Sequence, residues 1–450
     1  MTDQYALIGA GPMGLCSARQ LKQYGIPFVG FELHSDVGGL WDIHNPHSTM
    51  YETAHLISSK HMTEFTDFPM DESVATYPKH DQLGQYFRDY AKAFDLYRHY
   101  EFNTRVVQAE PNEKGWLITT EHEGVSQTRQ FKGLLIANGT LHKPNHVALP
   151  GVFQGELMHA SEYKRPEQLK GKRVLIQGCG NSACDIAVDA VHAAASVDMS
   201  VRRGYYFLPK FIKGRPSDTL GGFIKLPRRV KQAVDAFIIR LIMGKPSDYG
   251  LPDPDYRMYE SHPVINSLIL HHLGHGDIHA RGDIAQVSGK QVTFADGTTA
   301  EYDLILQATG YKLDYPFIDR KWLNWQGMAP SLYLNVFHPQ FDNLFMMGMV
   351  EATGLGWQGR DEQAELVALA IRQQQHQSAS ARRLRATVEQ QAQQRADGGF
   401  NYLELERMAY YVDKTTYRNA VATHCKQLKQ DWPGDLPRVA PALTEKLAGC

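Results

Sequence analysis

Two glycine-rich turns carry residues whose types and spacing point to specific chemistry. Gly9-Ala10-Gly11-Pro12-Met13-Gly14 follows the apolar run Tyr5-Ala6-Leu7-Ile8 and opens a helical stretch reaching to about Tyr24. In such a turn the first glycine permits the tight bend and the second lets a pyrophosphate approach the backbone. The third lets helix and strand pack closely. The helix N-terminus then offers unpaired N–H groups and a partial positive charge to phosphate. Glu32 lies 23 residues after Gly9, at the end of the next apolar run, Phe28-Val29-Gly30-Phe31. A carboxylate there can accept hydrogen bonds from both ribose hydroxyls of an adenosine. Gly178-Cys179-Gly180-Asn181-Ser182-Ala183 repeats the pattern in its alanine-ended form. The strand after it ends in Ser200-Val201-Arg202-Arg203, with the arginines 24 and 25 residues beyond Gly178. An acid would repel a ribose 2′-phosphate, whereas an arginine holds it with charge-assisted hydrogen bonds. The first turn therefore fits an adenosine with a free 2′-hydroxyl, and the second prefers NADP to NAD. Two sites of opposite ribose chemistry suggest a flavoprotein fed by NADPH.

The elements that must position these residues are two βαβ units, about 170 residues apart. The second unit runs from the strand Arg173–Gln177 through a helix to about Ala195 and a strand over 197–201. Between the units lie aromatic-rich loops and β-type segments such as 116–120 and 133–137. A stretch over 205–276, rich in proline, aromatic and basic residues, reads as irregular or helical, and the last hundred residues read as helical and polar. The class expected is α/β, with two dinucleotide-binding domains in 450 residues. Forty-seven basic residues balance forty-nine acidic ones, which removes the charge footprint of a dedicated nucleic-acid binder. No apolar run approaches the ~20 residues a membrane helix needs. The N-terminus enters a strand at once, so no secretory signal is expected, and the reading is a cytoplasmic protein. Five scattered cysteines (Cys16, Cys179, Cys184, Cys425, Cys450) suggest neither a disulfide framework nor a metal site.

Between the two turns lies Phe153-Gln154-Gly155-Glu156-Leu157-Met158-His159-Ala160-Ser161-Glu162-Tyr163. This F-x-G-x-x-x-H-x-x-x-Y run resembles the signature of the flavin-containing monooxygenases, within the class B flavoprotein monooxygenases. Gly38-Gly39-Leu40-Trp41, Ser58-Ser59-Lys60-His61-Met62, Asp67-Phe68-Pro69, Asn181 to Ala187 and Ala308-Thr309-Gly310-Tyr311 are similar to further segments of that family. The resemblance covers residues 5 to about 371. It implies an FAD domain (1–160 and 320–450) interrupted by an NADPH domain (161–319). It also implies a reaction cycle: NADPH reduces the flavin, O2 adds to it as a C4a-hydroperoxide, and one oxygen passes to a soft nucleophile, a sulfide, an amine or indole. Such chemistry belongs to the cofactor, and the protein positions it and keeps water away. FAD would be held by Gly9, Gly11, Pro12, Met13, Gly14, Glu32, Gly39, Leu40 and Trp41. NADPH would be held by Gly178, Gly180, Asn181, Ser182, Ala183, Asp185, Ser200, Arg202 and Arg203, with Thr309 and Gly310 on the return strand.

Five residues are candidates for the reaction site itself. His159 is either a hinge residue tied to cofactor positioning or a satisfied structural histidine. Tyr163 stands where the Baeyer–Villiger branch has tryptophan, which favours heteroatom oxygenation. Ile57 stands where many members of the family have an asparagine beside the flavin, and it offers no side-chain hydrogen bond; His55 could compensate. Trp357 and Gln358 follow a glycine turn before a helix expected near 361–371, where they could face the flavin or substrate. Trp41 either covers the flavin or fills a core. Baeyer–Villiger oxygenation of ketones is an alternative. A flavin disulfide reductase or electron carrier is another, although Cys179 and Cys184 fall inside the second turn. A non-catalytic NADPH sensor is a third. A homodimer is what the resemblance implies for assembly.

Overall fold

The computed structural model describes residues 3–220, 226–434 and 436–437, so Cys450 and the end of the expected last domain lie outside the described residues. Two parallel five-stranded sheets organise the chain. The first takes β1 (Tyr5–Ile8), β2 (Phe28–Phe31), β3 (Tyr100–Glu101) and β4 (Gly133–Ile136). The second takes β5 (Glu156–His159), β6 (Arg173–Gln177), β7 (Ser196–Ser200), β8 (Ile278–Arg281) and β9 (Leu304–Gln307). The chain then returns to the first sheet with β10 (Leu344–Met346). Spatial order is β10-β4-β1-β2-β3 in the first sheet and β5-β9-β6-β7-β8 in the second. One dinucleotide-binding unit is thus inserted into the other.

The central strands are buried on both faces. All four residues of β1, β4 and β9 are buried, as interior parallel strands covered by helices require. In the first unit α1 (Pro12–Gln23) and α2 (His80–Ala93) pack on the sheet. In the second, α3 (Asn181–Val191) follows β6. The basic stretch after β7 holds a hairpin (Phe211–Ile212 with Arg215–Pro216), α4 (Arg228–Met243) and α5 (Leu268–His275). The C-terminal part adds α6 (Gly356–Gln375), which packs on α1, and α7 (Lys414–Gln430), which packs on α6. Helix α6 starts earlier than the sequence suggested, because the glycine turn itself coils into its first turn. Among the described residues no helix is long and apolar enough to cross a membrane.

Two chain crossings join the units, and they run side by side. Lys143–Pro144 pairs antiparallel with Tyr311–Lys312. Asn145 N–H donates to Gly310 O at 3.0 Å, and Thr309 Oγ1 donates to Asn145 O at 2.6 Å. Thr309 and Gly310 therefore sit in the linker. Gly151–Phe153 and β5 pair with strands of the inserted unit, and both precede position 161, where the sequence reading begins that unit.

Candidate functional site

The first turn is built for close backbone approach. Gly9 has φ +103°, a conformation open to glycine, and a Cβ at Gly14 would lie 1.9 Å from Gly9 O. Gly11 is the extended N-cap of α1, Pro12 and Met13 begin the helix, and no side chain caps its first N–H groups. Those donors remain for an anion. Gly39 presses on the same spot, since a Cβ there would lie 2.9 Å from the Gly11 Cα. Leu40 and Trp41 continue that turn and are half-buried. Buried Glu32 accepts from Ala10 N–H at 2.6 Å and from His34 N–H at 2.8 Å. Burial pushes its carboxyl pKa up, against the pull of those two N–H groups. The carboxylate lies directly beside the glycine turn, as ribose recognition needs.

The second turn repeats the plan with more open space. Gly178 has φ +121°, and its N–H donates to Ser200 O at 3.0 Å. Gly180 is the extended N-cap of α3, again without a side-chain cap, and a Cβ built on it meets nothing within 4 Å. That open approach to a helix N-terminus fits a pyrophosphate. Ser182 is exposed in the first turn and Ala183 is buried beneath it. Asn181 spans to the segment before α5, donating to Pro263 O at 3.1 Å and accepting from Ile265 N–H at 2.7 Å. Buried Ser200 donates to Gly282 O at 2.9 Å. Arg202 is exposed and, among the described residues, has no hydrogen bond or ion pair. Arg203 lies over the Tyr205 ring and donates to its hydroxyl at 3.2 Å. Cys179 and Cys184 are buried with their sulfurs 4.0 Å apart, inside this turn and helix.

His159 and Tyr163 lie at the joint between the units. His159 ends β5, buried, with Nδ1 3.1 Å from the Ser161 N–H it accepts. Its ring stands edge-on to His146 and Tyr311, at 5.2 and 5.5 Å. Burial lowers its pKa, and His146 adds to the effect. Tyr163 is fully buried and donates to Asp189 Oδ2 on α3 at 2.9 Å. Its ring rests against Tyr51 of the first unit, whose hydroxyl donates to Asp185 at 3.2 Å. Asn266 also donates to Asp185, at 2.7 Å, and Thr53 donates to Asp189. Tyr163 and Asp185 thus pin α3 to the loop at 51–53. Tyr163→Phe removes one donor from a largely buried carboxylate and is expected to cost about 1–3 kcal/mol, read as a lowered urea midpoint.

The loop that carries Ile57 meets the start of α6. Ile57 is half-buried and His55 exposed. Leu56 N–H donates to Pro78 O at 2.9 Å, and Ser59 N–H donates to Asp218 Oδ2 at 2.6 Å. Lys60 is consumed structurally, its ammonium donating to the carbonyls of Asp71, Glu72 and Val74 at 3.0, 3.2 and 2.8 Å. A Cβ on Gly356 would lie 2.3 Å from Met62 O, so α6 begins directly against this segment. Trp357 turns inward, with its ring 4.6 Å from Phe87 and 6.0 Å from Phe65. Trp41 meets it edge-on at 6.4 Å, while Gln358 is half-buried. Trp357→Ala would leave a cavity in this cluster, at an expected cost of about 3–5 kcal/mol, measurable by denaturant unfolding.

One buried charge network had no signal in the sequence, because its members come from positions 262, 351, 360, 407 and 411. Glu351 accepts from Arg407 at 2.9 Å and from Arg360 at 3.4 Å. His262, from the inserted unit, meets the Tyr411 hydroxyl at 3.1 Å, and that hydroxyl is 2.7 Å from Thr353 Oγ1. Burial and then Arg407 push the His262 pKa down to about 3. An unfolded histidine takes up its proton near the ordinary 6.5 and the folded one does not, so stability falls as pH drops through that window. Glu351 acts in the same direction lower down. Burial opposes its charge, but Arg407 and Arg360 prevail and hold its pKa at about 2. Its contribution, complete above the ordinary 4.5, is lost as pH falls towards 2. Thermal unfolding should therefore come earlier as pH is lowered from 6.5, and His262→Gln should flatten that slope between 6.5 and 3.

With the geometry established, comparison with known proteins becomes informative. The family model described as flavin-binding monooxygenase-like matches residues 2–426. The N-oxide-forming dimethylaniline monooxygenase 2 of Oryctolagus cuniculus is 30% identical over 379 residues, covering 79% of this chain and 70% of that protein. Among solved structures, S-allyl-L-cysteine S-oxygenase from Allium sativum aligns with a TM-score of 0.66 at 19% identity, over 95% of this chain and 89% of the other. Cyclohexanone monooxygenase, in an open structure, aligns at 0.71 and 20% identity, over 96% and 98%. The two solved structures support the fold alone. The extent of the family match, together with the relative that reaches 30% identity, shows that the chain belongs to the flavin-binding monooxygenase-like family and is a flavin-dependent monooxygenase.

Proposed function

We propose that the protein is an NADPH-dependent, FAD-containing monooxygenase that places one oxygen atom from O2 on the sulfur or nitrogen of small molecules. The observation that carries this reading is the contrast at the two ribose positions. Buried Glu32 stands at the first turn, while Arg202 stands free at the end of the strand after the second. In this reading Gly9 to Gly14, with Gly39, Leu40 and Trp41, hold the pyrophosphate of FAD. Gly178 to Ala183 hold that of NADPH, and Arg202 and Arg203 its 2′-phosphate. FAD supplies the oxygen chemistry and NADPH the electrons. The chain's own residues bind, orient and exclude water. His159 and Tyr163 keep the two units in register, and the linker at 143–145 and 309–312 lets one approach the other. The inserted NADPH unit is taken to begin near Gly151, where its sheets begin.

The printed name of the relative that reaches 30% identity, N-oxide-forming, supports heteroatom oxygenation. Product analysis with NADPH and a simple thioether, tertiary amine and cyclic ketone tests it. Sulfoxide and N-oxide without lactone are expected. Lactone as the dominant product would favour ketone oxygenation instead.

A further inference from the structure

Helix α4 turns a broad apolar face outward. Its one buried residue is Gln232, whose amide donates to Met258 O at 2.9 Å. Asp235 on the same side accepts from Tyr259 at 2.6 Å, and Arg228 donates to Gly398 O at 2.9 Å. Ile239 and Met243 are half-buried on that side, Met243 against the core of the inserted unit, so the docked side mixes polar and apolar contacts. Six further apolar residues, Val230, Val234, Phe237, Ile238, Leu241 and Ile242, are exposed, Phe237 by 67% and Leu241 by 76%. Their spacing of i, i+4, i+7, i+8, i+11 and i+12 puts them on one face. An ordinary surface helix of a globular protein keeps polar and charged residues on its outer face.

The charge along this stripe selects its occupant. Arg229 and Arg240 are exposed and lie along one border of the stripe, with no hydrogen bond or ion pair among the described residues. Asp235 is the only acid of the helix, and Lys231 and Tyr259 already engage it. In the sequence, residues 205–245 carry nine lysines and arginines against Asp218 and Asp235. A second copy seated antiparallel on the stripe would set its cationic border against this one. An apolar face with a cationic rim matches an anionic lipid surface, where apolar side chains enter the acyl boundary and arginines meet headgroups. We propose that α4 is an interfacial helix that seats the protein on anionic lipid, with Phe237 and Leu241 as the inserted residues. The helix lies along the surface and does not cross it.

The test uses the full-length, flavin-loaded protein with vesicles of phosphatidylglycerol or of phosphatidylcholine, and sedimentation velocity in parallel. Binding to phosphatidylglycerol is expected, weakened by salt and at least about fivefold stronger than to phosphatidylcholine. F237E/L241E should reduce that binding about tenfold or more while keeping flavin absorbance and circular dichroism unchanged, since both side chains are exposed. R229A/R240A should remove the salt-sensitive part, about fivefold per cation at low salt. Binding without preference for the anionic vesicles, or binding that F237E/L241E leaves intact, overturns the proposal. So does a dimer that F237E/L241E dissociates in a protein that binds no vesicles, because the stripe is then a contact between copies.

Discussion

Gly180→Val is expected to abolish flavin reduction by NADPH while leaving the fold and the bound flavin in place. The position allows this separation because its backbone is extended, with φ −80° and ψ −178°, which any residue adopts. A Cβ there meets nothing within 4 Å, so the free protein has no clash to relieve. The added methyl groups instead occupy the space in front of the first turn of α3, where a pyrophosphate would lie against backbone N–H groups. A loss of at least about 100-fold in kcat/KM for NADPH is expected, about 2.7 kcal/mol of lost stabilisation. Anaerobic reduction rates, with flavin content and Tm as controls, measure it. Unchanged reduction would place the nicotinamide cofactor elsewhere. Gly14→Val would be uninformative by comparison, since its Cβ would collide with Gly9 O and threaten the fold.

The second large effect concerns the choice of cofactor. Replacing Arg202 and Arg203 together by alanine should raise KM for NADPH about 10- to 100-fold, the range for losing one or more charged hydrogen bonds. KM for NADH should hardly move, because it has no 2′-phosphate to lose contact with. Arg202 should carry more of the effect than Arg203, whose guanidinium already stacks on Tyr205 and donates to its hydroxyl. Paired KM values for the two cofactors, measured on both single variants and the double, give this result. Equal changes for NADPH and NADH would show that the arginines serve the fold instead of the phosphate.

Much of this architecture was readable in the chain because it is local. A buried strand, a glycine turn and an uncapped helix fall within some twenty residues, as at Tyr5–Gln23 and Arg173–Val191, and the apolar period alone reveals them. The places of Glu32 and Arg202 in the fold were readable for the same reason, since each follows its turn by one helix and one strand. What escaped depends on contacts distant in sequence. Nothing local tells that Gly151–Phe153 and β5 pair with strands about 140 residues later. Nothing near Tyr163 announces Asp189, or that the joint would also recruit Tyr51 and Thr53. Helix α4 lies in a stretch that the sequence marks only as irregular or helical, and its outward apolar face shows only in the exposure of residues such as Phe237 and Leu241.

The central claim is that a flavin bound by the first unit uses electrons from NADPH to place one atom of O2 on a small molecule and release the other as water. Turnover under isotopically labelled dioxygen, with NADPH and a thioether, tests it most directly by mass spectrometry of the product. The account predicts a sulfoxide carrying one labelled oxygen atom, formed in proportion to NADPH consumed and lost in Gly180→Val. NADPH consumption that yields only hydrogen peroxide and leaves the thioether, an amine and a ketone all unlabelled would contradict it.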